Sequence, residues 1–334
     1  MSGQAWAWVI FNAAVLMLLI LDLTVLQRHG RAMRIREALG WSAFWVGLAM
    51  AFNVLLYYAY REHWGGFGLN SGLPAGEAAM QFLTGYIIEL SLSVDNLFVF
   101  LAIFKYFHVT GRHQHRVLFW GILGAVVLRA AMILLGVQLI VRFHWLLYLL
   151  GAFLVITGVK LAMEDSESRV HPEKNILLRL ARRVFPIAPG DHEGRFFRRV
   201  DGKMMVTSLL LVLLVVESTD LLFAMDSIPA ILAITKDPYI AYTSNIFAVL
   251  GLRALYFALA GLIGLFEYLK YGLAAVLVFV GLKMLGEELV HVSIGVSLSV
   301  VGGLLALSIV ASLLHPGGKL GADAPPESPE DREP

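Results

Sequence analysis

Two acidic stretches lie inside apolar sequence. Ile88 to Phe100 reads IELSLSVDNLFVF, and Val216 to Ile231 reads VESTDLLFAMDSIPAI. They carry Glu89, Asp95, Glu217, Asp220 and Asp226, with Asn96 and Ser227 directly after two of the aspartates. An ionised group near the centre of a bilayer costs about 2.5–3.5 kcal/mol on insertion scales, so five of them need a chemical use. On a helix, Glu89, Ser93 and Asn96 share one stripe. Glu217, Asp220, Ala224 and Ser227 share another, with Asp226 about 100° away. Pro229 cannot donate to the carbonyl of Met225, which frees that oxygen beside Asp226. Carboxylate, amide, hydroxyl and carbonyl oxygens together suit a hard divalent cation. The candidate metal residues are therefore Glu89, Asp95, Asn96, Glu217, Asp220, Met225, Asp226 and Ser227. Asp95 and Asp226 are the favoured ligands, expected to share the ion. Arg129 and Arg253 fall near the middle of neighbouring apolar runs and read as counter-ions. Two cations against five anions leave three negative charges for a divalent cation, protons or both to reduce. The plainer alternative is acids and arginines that only lock a bundle together.

The elements that position these groups must cross a membrane. The chain has 334 residues, 58% hydrophobic and 15% charged, where a soluble domain is nearer 45–50% apolar. It has no cysteine, which excludes disulfides, thiolate metal sites and cysteine catalysis. The reading is an all-α polytopic membrane protein with about nine transmembrane helices, at roughly 6–26, 41–60, 78–106, 117–141, 145–163, 204–234, 239–264, 269–286 and 294–314. The third and sixth are longer than a crossing needs. No basic residue precedes the first run, so it reads as an anchor and not a cleaved leader. Arginines and lysines crowd alternate loops, above all 164–203, which puts the N-terminus outside and the C-terminus in the cytosol of a cell inner (plasma) membrane.

An internal repeat is expected. GILGAVVLRA at 121–130 matches NIFAVLGLRA at 245–254, and GVKL at 158–161 matches GLKM at 281–284. Three spans per copy is an odd number, so the copies must point in opposite directions, a plan of secondary transporters with a midplane site. The organisation is then 1–77 as helices one and two, 78–163 as copy one, 164–203 as a basic cytosolic loop, 204–290 as copy two, 291–315 as helix nine and 316–334 as a disordered tail. Within the loop, Asp201-Gly202 suits the turn of a hairpin between Phe196–Val200 and Met204–Val206. RHQHR at 112–116 reads as solvated loop, Asp22 as an interfacial partner of nearby arginines, and tryptophans near span ends as an interfacial belt.

The segments FLTGYIIELSLSVDNLFVF (82–100), VVESTDLLFAMDSIPAILAIT (215–235) and TSNIFAVLGLRALYFALAG (243–261) resemble the TerC family of integral membrane proteins, named for tellurium resistance, and within it the Alx-like subgroup. The resemblance covers all nine spans. It implies manganese efflux, with links to metal homeostasis, alkaline pH response and tellurite stress. It places the family's acidic signature on Glu89, Asp95, Asn96, Glu217, Asp220, Asp226 and Ser227. The expected activity is transport of a divalent cation, Mn2+ before others, with protons as the candidate counter-substrate and with no enzymatic step, no cofactor and no nucleic-acid partner. Delivery of metal to exported enzymes is the competing role. An intramembrane aspartyl protease fits poorly, because its Gly-x-Gly-Asp setting is missing.

Overall fold

The computed structural model describes residues 3–27, 35–69, 72–109, 111–163, 194–200, 203–260, 268–288 and 292–314, with positions 179 and 290. Nine α-helices run through them. They are α1 (Gly3–Gln27), α2 (Ile35–Arg61), α3 (Ala75–Tyr106), α4 (Gly111–Arg142), α5 (Leu146–Met163), α6 (Ser208–Leu232), α7 (Pro238–Ala260), α8 (Leu269–Leu285) and α9 (Ile294–Leu314). Eight are long and apolar enough to cross a bilayer. The exception is α8, at 17 residues, which is the lower edge of the usual range of about 17–25. The chain is an all-α polytopic membrane protein.

Two boundaries differ from expectation in the kind of element that forms. The sixth span starts at Ser208 instead of 204, because Lys203–Val206 is the second strand of an antiparallel hairpin with Phe197–Val200. Arg198 faces Met205 and Val200 faces Lys203 in that hairpin, and its two-residue turn lies outside the described residues. In the fourth span, 112–116 is not loop but the first turns of α4. The tail 316–334, most of loop 164–203 and the side chain of Asp22 lie outside the described residues.

The centre of the bundle is α7. In its most apolar stretch 94% of residues are buried, against 17% in α1 and in α2. Its sequence accounts for this. Thr243, Ser244, Asn245 and Arg253 would be costly against lipid and are each 2% exposed or less. The helices α2, α3 and α4 cover it. An aromatic cluster of Phe11, Phe52, Phe82, Tyr239 and Phe247 binds α1 and α2 to this centre, with ring centroids 4.8–6.1 Å apart. Of the expected interfacial tryptophans, Trp6, Trp64 and Trp145 are exposed, but Trp45 is buried and packs over Gly251 of α7.

Helices α5 and α8 cross antiparallel at very short range. A methyl group at Gly151 would stand 3.0 Å from the Gly281 carbonyl, one at Gly281 2.7 Å from the Gly151 carbonyl, and one at Gly158 2.8 Å from the Ala274 carbonyl. Small residues allow two backbones to touch where apolar side chains gain nothing over lipid.

Candidate functional site

Arg129, on α4, is completely buried. Its Nη2 donates to Asp220 Oδ1 of α6 at 3.1 Å and its Nε to Asp220 Oδ2 at 3.3 Å, a two-pronged grip on one carboxylate. Its Nη1 donates to Glu89 Oε1 of α3 and, at 3.4 Å, to Asn245 Oδ1 of α7. Asn245 Nδ2 in turn donates to Glu89 Oε2 at 2.8 Å, and Ser93 Oγ to Glu89 Oε1 at 3.4 Å. Four helices are thus tied at one level by groups that have almost no access to solvent. Such a network is stable only while every member is present, since removing a partner strands a buried charge.

Glycines set the distances. A methyl at Gly124 of α4 would overlap the Glu217 carboxylate, so that side chain occupies the space a larger residue would fill. One turn before Glu89, Gly85 lets α3 approach Ser244 of α7 and Ile231 of α6.

Of the expected metal residues, the structure gathers Glu89 and Asp220 on Arg129, with Glu217 one turn before Asp220. Asn96 and Ser227 are buried, and Ser227 Oγ has no hydrogen-bond partner among the described residues. Asp226 is half-buried and lies near Thr157 and Lys160 of α5. The Met225 side chain is 48% exposed and turned away from the network. The side chain of Asp95 lies outside the described residues, but its place on α3 is fixed. Asp95 is six residues beyond Glu89, and Asp226 six beyond Asp220, on helices that run in opposite directions. At about 1.5 Å per residue, Asp95 lies about 9 Å along α3 from Glu89, and Asp226 about 9 Å along α6 from Asp220.

The second arginine sits elsewhere. Arg253 Nη2 is 3.1 Å from His115 Nδ1, and the His115 ring stacks on Phe257 at 4.1 Å. His115 is therefore half-buried against α7 and not part of a loop. Among the described residues no three carboxylate or imidazole side chains converge as a ready-made metal cage. Two members of the site were missed in the sequence, Asn245 and Thr157. The signal for Asn245 was the polar triplet Thr243-Ser244-Asn245 inside an apolar helix. Thr157 gave none.

The model of the integral membrane protein TerC family matches residues 75–318. The chain belongs to the TerC family. Its relatives extend the match to α1 and α2. "Uncharacterized membrane protein STKORF319" of Myxococcus xanthus is 51% identical over 93% of both chains. "Putative membrane-bound redox modulator Alx" is 46% identical in Salmonella typhi and 44% in Escherichia coli (strain K12), over 92% of this chain and 94% of theirs. No solved structure matches. The Glu89–Arg129–Asp220 network lies wholly within the TerC match.

Proposed function

We propose that this TerC protein is a secondary transporter that exports a divalent cation from the cytosol across the plasma membrane, with its N-terminus outside. It is a carrier and not an enzyme. Mn2+ is the substrate that the family resemblance implies. The observation that carries this reading is the Glu89–Arg129–Asp220–Asn245 network, with Asp95 six residues further along α3 and Asp226 six residues further along α6. In this reading Arg129 holds the two central carboxylates when no ion is bound. An arriving cation competes with the guanidinium for Glu89 and Asp220, which are hard oxygen ligands. Asp95 and Asp226 add two further carboxylates to the oxygen set of the centre. The inverted repeat is part of the proposal. In its support, the Gly158–Ala274 and Gly281–Gly151 contacts change places when the two copies are exchanged. Protons are the proposed counter-substrate, carried on the carboxylates the metal has left.

Relatives carry the name of redox modulators. A chain without cysteine has no thiol couple of its own, so a redox effect here would come through the metal it moves.

The test is flux in vesicles reconstituted with the full chain. Mn2+ moving one way should acidify the opposite side, and Asp220→Asn and Asp226→Asn should each abolish flux while the protein stays inserted. Wild-type flux in both variants would sink the proposal.

A further inference from the structure

A cavity of about 510 Å³ opens at the end of the bundle where α3 and α7 begin and α6 and α8 end. Its charged lining is Glu77, Asp237 and Glu287 against Lys236 and Lys283. Part of this charge is already committed. Lys236 Nζ bonds Glu287 Oε1 at 2.9 Å. Asp237 accepts from Tyr60 Oη at 2.6 Å and from the amide of Tyr239 at 2.9 Å. Gln81 is different. It lines the same cavity, is only 7% exposed, and its Oε1 has no hydrogen-bond partner among the described residues. A buried amide oxygen without a partner costs about 1–3 kcal/mol, so its place on the wall of a cavity calls for a ligand.

The position of Gln81 says which ligand. Glu77, Gln81, Gly85 and Glu89 follow one another at four-residue steps, which is one stripe of α3. The stripe runs about 18 Å from the cavity to the Arg129 network. Between them lies a tight collar. A methyl at Gly85 would come within 2.9 Å of Ser244 Oγ and 3.2 Å of the Ile231 side chain. Ser244 has already turned its hydroxyl to the Ile240 carbonyl, 2.8 Å away. The cavity and the network are thus two compartments along one row of α3, with Gln81 and Glu89 about 12 Å apart and the Gly85 collar between them.

The geometry points to a second cation site: the cavity is the vestibule of the central network on the α2–α3 side, it takes a hydrated divalent cation, and Gln81 Oε1 is the ligand nearest the collar. The assignment rests on the transport reading for its direction, in which this end faces outward and the vestibule receives the ion as it leaves. An amide oxygen accepts from metal-bound water or meets the metal directly, and, being uncharged, it lets the ion go. Glu77, one turn further out, supplies the negative charge.

The chain lacks cysteine, so Gln81→Cys provides a single thiol. A membrane-impermeant thiol reagent applied from outside should label it, and millimolar Mn2+ should slow the labelling. With Mn2+ offered to vesicles from the vestibule side, Gln81→Leu should raise the KM for Mn2+ by about three- to tenfold, the equivalent of one hydrogen bond, with kcat unchanged. Gln81→Glu should keep KM at or below the wild-type value. Absence of labelling, labelling indifferent to Mn2+, or an unchanged KM in Gln81→Leu overturns the assignment. If wild-type vesicles carry no Mn2+ flux while Mn2+ still protects the thiol, the transport reading falls and the vestibule stands as a binding site.

Discussion

The two arginines occupy matching places in the LRA segments at 128–130 and 252–254, yet their surroundings differ. Arg129 spans two carboxylates and an amide from three other helices. Arg253 meets the imidazole of His115, near the start of α4. Asn245 marks the level of the central network on α7, and Arg253 is eight residues further on, about 12 Å along the axis. Sequence kinship fixed which residue is present and at what depth in its own helix. The level at which the helices cross decided its partners.

Substitution can break this comparison. Arg129→Ala should have the largest effect, lowering stability by about 3–5 kcal/mol by stranding Glu89 and Asp220 as buried charges. Thermal unfolding in detergent and abundance in the membrane would report it. Arg253→Ala should cost less on both measures, and an equal loss would mean that the two arginines are equivalent after all. Asn245→Ala comes next. It removes a donor to an ionised carboxylate, and about 1.5–3 kcal/mol of stability should go with it. An unchanged unfolding temperature would show that Glu89 needs only the guanidinium. The smallest effect is expected in the vestibule wall. Lys236 and Glu287 are about half exposed, with side-chain accessibilities of 53% and 44%, so Lys236→Ala should change stability by about 0–1 kcal/mol. A larger loss would show that this rim is held as tightly as the centre.

Much of the fold was legible because the bilayer imposes a simple length rule. Runs of apolar residues gave the helices to within a few residues, and Asp201-Gly202 gave the hairpin. The errors came where local chemistry outweighs hydropathy. Met204–Val206 of the second strand run on into the apolar sequence of the helix that follows, and RHQHR is polar but extends α4. For the site, the residue types were legible and their grouping was not. Glu89, Arg129 and Asp220 met as depth required. The surroundings of Asp226 were not legible, because Thr157 and Lys160 of α5 come beside it only through the packing of α5 on α6. Gln81 could not be found from sequence. A glutamine one turn inside a helix is unremarkable until a cavity is seen beside it.

The glycine contact between α5 and α8 also has a consequence in time. About 130 residues of chain separate Gly151 from Gly281. At a synthesis rate of about 5–20 residues per second, α5 enters the membrane roughly 7–26 s before the helix it must touch has been made. During that interval its bare stripe at Gly151 and Gly158 faces lipid or some temporary neighbour. The nascent protein therefore passes through a waiting state, and any helix presenting small residues nearby, on this chain or another, competes for the vacancy until α8 arrives.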